Sequence, residues 1–361
     1  MTPGFWNARA VLVTGHTGFK GGWLCFWLKA LGARVAGLAL EPPTSPSLYE
    51  ASGLAGEMAS LIGDVREPDT LHKAFETHRP EVVFHMAAQS LVRESYRQPV
   101  ETFATNTIGT VHCLEAARRA PSVRAVVVVT TDKCYRNRGV REGYRETDEL
   151  GGDDPYSASK AAAELVTHAY RQSFFVDAAA ALIASARAGN VIGGGDWAAE
   201  RLVPDAMRSF AAAQPLSIRN PAATRPWQHV LEPLRGYLML AERLHAGDRK
   251  AAAPWNFGPD PEGTKPVSWV ADQLAKRWGE SARWRPGESE RLHEAAELAL
   301  DNSKARTGLG WRPVLSLEVA LDWVVDWYKA LSRGANARTL TLEQISRYQA
   351  MCAPMTGTKV R

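Results

Sequence analysis

An α/β protein built on a parallel sheet, with a smaller α/β lobe toward the C-terminus, is the fold class this sequence predicts. Three observations carry that reading. Short β-branched runs alternate with longer amphipathic stretches through the first half, the turn after the first run holds glycines at 15, 18 and 21, and from about Gly193 proline, tryptophan and arginine become frequent.

The runs Ala10-Val-Leu-Val13, 34–38, 81–85 and 124–129 are apolar without alternation, as strands covered on both faces require. Residues 182–186 read as a further strand. Apolar residues at helical spacing over 22–31, 69–76 and 105–119 supply the crossovers, and 317–331 repeats the spacing with Asp322, Asp326 and Lys329 turned outward. The expected division is 1–192 for the sheet domain, with a segment around 226–258 returning to it, and 193–361 mainly for the second lobe. Residues after Met351 read as loosely held.

Composition narrows the function classes. The 361 residues are 45% apolar and 23% charged, which excludes disordered, collagenous and coiled-coil readings. Forty-three basic side chains against 39 acidic ones leave +4, with no run of five like charges, so neither nucleic acid nor a membrane surface is expected as a partner. Cys25, Cys113, Cys134 and Cys352 are scattered without C-x-x-C or Cys/His ligand spacing, so no disulfide framework and no metal are expected. The N-terminus lacks a basic-then-apolar signal pattern and no apolar run approaches a membrane span, which points to a cytoplasmic protein with small-molecule partners.

Val11-Leu-Val-Thr-Gly-His-Thr-Gly-Phe-Lys-Gly-Gly-Trp23 reads as a strand, a tight turn and a helix start. Gly15 permits the turn, Gly18 lets backbone N–H groups approach a pyrophosphate, and Gly21 lets the helix sit close to the strand, with the anion at the positive helix end. This is the dinucleotide-binding turn of a Rossmann-type doubly wound sheet. Leu38-Ala-Leu-Glu41 offers one acid for ribose hydroxyls and no arginine cluster for a 2′-phosphate, so NAD is the expected cofactor. Two readings stand for His16 and Lys20, a pyrophosphate contact or a solvated side chain.

The G-x-x-G-x-x-G spacing, Gly63-Asp64-Val65, His85-Met-Ala-Ala-Gln89 and Asn106 in Thr105-Asn-Thr-Ile-Gly-Thr110 together resemble the extended short-chain dehydrogenase/reductase, or NAD-dependent epimerase/dehydratase, family. The resemblance implies cofactor contacts from Gly15, Thr17, Gly18, Phe19, Lys20 and Gly21, then from Asp64, Val65, Ala87, Ala88, Gln89 and Asn106, and from Tyr156 and Lys160. It also implies a homodimer, or a tetramer, through helices at 105–119 and 156–172.

Tyr156 and Lys160 stand four apart in Asp154-Pro-Tyr-Ser-Ala-Ser-Lys160, behind an aspartate cap and a proline suited to a first helical turn. A phenol with an ordinary pKa of about 10 needs cations beside it to act as a base, and lowering it toward neutrality takes roughly 3–4 kcal/mol. The strand at 124–129 leads into Thr131-Asp-Lys133, and Thr131 stands where the family places the hydroxyl that orients the reacting alcohol. With Gly15–Leu24, Arg187-Ala-Gly-Asn-Val-Ile-Gly-Gly-Gly-Asp-Trp197 and Arg225-Pro-Trp-Gln-His-Val230, the Thr-Asp-Lys run resembles the nucleotide-sugar 4,6-dehydratases, in the branch whose substrate is CDP-D-glucose.

That resemblance implies an NAD-dependent hydro-lyase making the 4-keto-6-deoxy sugar, on a route to deoxysugars of surface polysaccharide. Tyr156 is the expected C4 base, Lys160 its electrostatic partner, Thr131 the orienter, Asp132 the C6 acid and Lys133 the C5 base. The alternative for Lys133 is that it only stabilises the enolate. The substrate is expected to meet Gln89, Asn190, Arg201, Arg219, Arg225, Arg285 and His293, the guanidinium groups suiting a diphosphate. A 4-epimerase or reductase, or a dinucleotide sensor without catalysis, is the alternative function.

Overall fold

Seven parallel strands form the central sheet in the computed structural model, which describes residues 1–139, 142–177, 180–279, 282–287 and 297–352. In chain order the strands are β1 (Ala10–Thr14), β2 (Arg34–Ala39), β3 (Ala59–Ile62), β4 (Val82–His85), β5 (Ala125–Val129), β6 (Leu182–Ala188), β7 (Asn190–Ile192), β8 (Leu216–Ile218), β9 (Thr224–His229), β10 (Pro254–Phe257), β11 (Thr264–Pro266) and β12 (Trp284–Pro286). The central order is β10-β6-β5-β4-β1-β2-β3. The order reverses at β1, whose neighbours are β4 and β2, and the crevice beyond the carboxyl ends of those strands is where open sheets of this kind bind ligands.

The helices are α1 (Phe19–Ala30), α2 (Leu48–Ala51), α3 (Pro68–His78), α4 (Val92–Arg97), α5 (Pro99–Phe103), α6 (Gly109–Arg119), α7 (Pro155–Ser173), α8 (Leu202–Ala211), α9 (Leu231–His245), α10 (Val267–Trp278), α11 (Leu317–Ser332) and α12 (Ala337–Cys352). They cover both faces of the sheet. Along β1, Val11 and Val13 join one core with Trp23 and Leu24 of α1 and Leu234 of α9, while Leu12 joins the other with Leu71 of α3 and Leu114 of α6. The period-2 pleat thus divides one apolar run between two cores, each fully buried Leu or Val stabilising by about 1.5–3 kcal/mol.

The α/β class with a doubly wound parallel sheet is as the sequence predicts. Past Gly193 the chain makes a three-stranded sheet, β11-β9-β7, and a two-stranded one, β12-β8. It also returns: α9 packs over β5 and β6, and β10 pairs with β6 from Pro254↔Ser185 to Phe257↔Ala188. Two differences matter for the site. The helix expected over 105–119 is preceded by α5 and a π-helical turn at Ala104–Ile108, and the edge strand β3 was not legible as a strand.

Candidate active site

One cavity of about 880 Å³ opens at the carboxyl ends of the strands and is lined also by residues from Gly193 to Val267. Its first wall is the glycine turn. Gly15 has φ +79, and a Cβ there would stand 2.8 Å from the Ala87 nitrogen; a Cβ at Gly21 would stand 2.1 Å from the Gly15 carbonyl oxygen. Only glycine fits either place. Gly18 caps α1 without a side-chain partner, which leaves the first-turn N–H groups directed at the cavity. Gly15, Thr17, Gly18, Phe19, Lys20 and Gly21 all line it.

Asp64 and Val65, which follow β3, and Glu41, which follows β2, line the cavity, and Arg66 holds Asp64 through its Nε and Nη2, keeping the carboxyl below its usual range. Ala87, Ala88 and Gln89 form the floor beyond β4. A cradle that any Cβ would fill, set at an uncapped helix start, fits a dinucleotide pyrophosphate.

The two open residues of the turn separate. His16 is fully buried and does not line the cavity; its ring sits where a Cβ on Gly37 would be, its Nε2 meets Ser60 Oγ at 2.7 Å, and burial lowers its pKa to about 4. Lys20 does line it, 3.5 Å from the Tyr237 hydroxyl, and burial with the positive charges of Arg201 and Lys160 lowers its pKa to about 7.

Deeper in the cavity, α7 presents Tyr156 and Lys160. Asp154 caps the helix by accepting from the Ser157 N–H at 2.9 Å, and Pro155 fills the first position. The Lys160 ammonium donates to the Val129 carbonyl at 3.2 Å, and burial lowers its pKa to about 8. Burial also pushes the Tyr156 phenol up to about 12, opposed by a hydrogen bond with Thr131 and by Arg201. The phenol is therefore not yet a base. Desolvation outweighs the Thr131 hydrogen bond and the Arg201 charge that oppose it.

Thr131, Lys133, Tyr156 and Lys160 line the same volume. Asp132 lies just behind it, 1% exposed; its Oδ1 accepts from Thr131 Oγ1 at 3.0 Å and from Lys133 Nζ at 3.4 Å, and its Oδ2 has no partner among the described residues. A Cβ at Gly189, a cavity residue, would stand 3.1 Å from that buried oxygen, so only the Gly189 backbone separates the two on that side.

Of the expected substrate residues, Asn190, Arg201, Arg219 and Arg225 line the cavity. Arg201 is held by Asp196 at 3.0 Å and by Ser90 Oγ at 2.9 Å, a bridge from the second lobe to the sheet domain. Two expectations need correction. Asn106 lies beneath the cavity: its Oδ1 accepts from the Gln89 N–H and its Nδ2 donates to the Gln89 carbonyl and Ser159 Oγ, which spends the amide on positioning. Gln89, thus held, lines the wall, with its own amide bonded to Leu91 and Thr102. Arg285 is exposed on β12 and does not line the cavity, although Ser217, its register partner on β8, does. His293 lies outside the described residues.

The sequence model of the NAD dependent epimerase/dehydratase family matches residues 11–257. The chain belongs to that family. The CDP-glucose 4,6-dehydratase of Salmonella typhimurium is 49% identical to it over 350 residues, spanning 96% of this chain and 98% of that one. A dTDP-glucose 4,6-dehydratase of Xanthomonas campestris pv. campestris is 26% identical over 337 residues, 88% of this chain and 92% of that one. Among solved structures, the UDP-glucose 4-epimerase of Thermus thermophilus in complex with NAD superposes with a TM-score of 0.74 at 26% identity, over 90% of this chain and 99% of that one. NAD is the cofactor of the NAD dependent epimerase/dehydratase family, and the glycine cradle fits it.

Sequence reasoning missed Ser90 and the Glu164–Arg187 ion pair. Glu164 was within reach of it, since it stands four residues past Lys160 on one helix face. No group of three or more potential metal ligands comes together among the described residues, and no helix there is long and apolar enough to cross a membrane.

Proposed function

We propose that this chain is an NAD-dependent hydro-lyase that converts CDP-D-glucose to CDP-4-keto-6-deoxy-D-glucose and water. The observation that carries the reading is the sharing of one cavity by Tyr156 and Lys160 with Thr131 and Lys133, with the free oxygen of Asp132 behind them, in a chain 49% identical to a CDP-glucose 4,6-dehydratase. An alcohol oxidation needs only Tyr156, Lys160 and Thr131. Elimination needs an added acid and base.

Thr131 and Tyr156 hold the C4 hydroxyl, and Tyr156 takes its proton while the Lys160 ammonium offsets the phenolate charge. The cradle of Gly15, Gly18 and Gly21 would hold NAD, which would supply a reversible hydride acceptor for the sugar. With a ketone at C4 and the pair's proton resting on Asp132 across their 3.4 Å contact, Lys133 as the neutral amine removes the acidified C5 proton and the Asp132 carboxylic acid protonates the departing C6 hydroxyl, which leaves as water. Lys133 then returns a proton to C5 as the hydride reaches C6. Positioned acid and base groups of this kind each contribute about 10²–10⁴-fold. Arg201, Arg219 and Arg225 face the diphosphate, with Asn190 beside them.

The second copy of this chain is the proposed protein partner. Val100, Ile108 and Leu165 are exposed apolar side chains at 73%, 47% and 58%, on the α5–α6 and α7 surfaces, and a twofold pairing of those helices would cover them. Four free thiols suit a reducing cytoplasm. Incubation of the purified protein with NAD and a panel of nucleotide-linked glucoses tests the reading. An alkali-sensitive 4-keto product from the CDP-sugar, with no net reduced NAD, is expected; interconversion of sugar epimers without a ketone overturns it.

A further inference from the structure

Glu164 and Arg187 form an ion pair with both side chains 3% exposed, and neither touches the cavity. A buried pair of this kind is not explained by stability, because apolar residues of the same volume commonly serve as well. Its partners are more informative. Glu164 Oε1 accepts from Thr130 Oγ1 at 2.5 Å, while Oε2 accepts from Ser185 Oγ and Arg187 Nη2, both at 2.7 Å. Arg187 Nη1 donates to the Tyr135 hydroxyl at 2.7 Å, which donates in turn to Asn256 Oδ1 at 2.7 Å. The guanidinium also lies over the Tyr135 ring, 4.8 Å from its centroid.

Thr130 and Tyr135 are the two residues that bracket Thr131-Asp-Lys-Cys134. Each end of the short turn carrying the proposed acid and base is therefore tied to one member of the same buried pair. Glu164 stands on α7, one turn past Lys160, and Arg187 on β6, so the clamp also fixes the turn relative to the Tyr156–Lys160 helix. The negative charge of Glu164 also opposes the burial that lowers Lys160.

We propose that the Glu164–Arg187 pair is a positioning clamp for the elimination step, holding Asp132 and Lys133 in register with C5 and C6 after Tyr156 and Thr131 have presented C4. This rests on the dehydratase reading. Neither residue touches substrate. A misplacement near 1 Å costs about 10²-fold in rate. Thr131 is on the same turn but is also held by its hydrogen bond with Tyr156, whereas the acid and base must act together on adjacent carbons, so elimination is the step a loosened turn impairs most.

Single-atom changes at each end of the turn test this in the full-length protein: Tyr135→Phe, Thr130→Val, and Thr130→Ser as the conservative rescue. Tyr135→Phe and Thr130→Val are expected to lower kcat by about tenfold or more, leave KM within about twofold, and accumulate nucleotide sugar that is oxidised at C4 but still carries its C6 hydroxyl in quenched single turnovers. Thr130→Ser restores the hydroxyl and is expected to return kcat and abolish that accumulation. Unchanged turnover, or a loss without the accumulating species and not rescued by Thr130→Ser, overturns the clamp. Should the parent protein make no 4-keto sugar at all, the function reading fails instead, and that is read before any variant is compared.

Discussion

The Lys160 ammonium donates to the Val129 carbonyl at 3.2 Å, at the end of β5, two residues before Thr131. This bond links the helix that carries Tyr156 to the strand that delivers Thr131, and it keeps a positive charge at the cavity floor. Burial lowers the ammonium to about 8, so the cation is full below that pH and is lost as pH rises through it. An unfolded lysine keeps its proton to about pH 10.4, so burying Lys160 costs stability below the folded value, and the cost fades as pH rises toward the unfolded one.

The alkaline limb of kcat/KM is therefore expected near pH 8. Lys160→Arg, which keeps its charge, is expected to move the limb to higher pH, and Lys160→Met to lose about 10²-fold or more in kcat. Rate profiles of the three proteins across pH check this; an alkaline limb that stays in place in the arginine variant refutes it.

Lys133→Met is expected to leave NAD binding intact while removing solvent deuterium incorporation at C5, since only the base for that carbon is lost. Mass spectrometry of sugar recovered from deuterated buffer reads the result. Full exchange persisting in the variant takes Lys133 out of the base role.

A methyl group at Gly21 would stand 2.1 Å from the Gly15 carbonyl oxygen, which has backbone behind it and cannot yield. Gly21→Ala is expected to weaken NAD binding by about tenfold or more and to cost about 1–3 kcal/mol of stability through overpacking. Calorimetric titration with NAD and a denaturant melt measure the two effects.

Leu165→Lys combined with Val100→Glu puts charge on the exposed apolar surface of α7 and α5. If two copies pair there, the double variant sediments as a monomer at concentrations where the parent is a dimer. A parent that sediments as a monomer, or a variant that stays dimeric, removes this surface as the interface.

Much of the fold was legible because its signals are local. The β1 turn could be read since Gly15, Gly18 and Gly21 stand within one strand–helix junction, and Tyr156 with Lys160 since a helix brings residues four apart onto one face. The misread residues depend on longer-range geometry. Asn106 matches the family's asparagine that stabilises a helix near the site, and it stands in the π-helical turn at Ala104–Ile108 holding Gln89, but it was also expected at the cofactor and does not line the cavity. Arg285 was expected at the phosphates, but on β12 its side chain is exposed and off the cavity wall, a placement set by the pairing of two short, distant strands. The Glu164–Arg187 pair joins a helix to a strand across 23 residues, and β3 is a half-exposed edge strand without an apolar run to announce it.

Hydride return within a single sugar is tested most directly by CDP-D-glucose bearing deuterium at C4, turned over with NAD in ordinary water. The expected result is deuterium in the C6 methyl group of the 4-keto product. Deuterium found in water or in free coenzyme, with an unlabelled methyl group, would contradict the dehydratase mechanism.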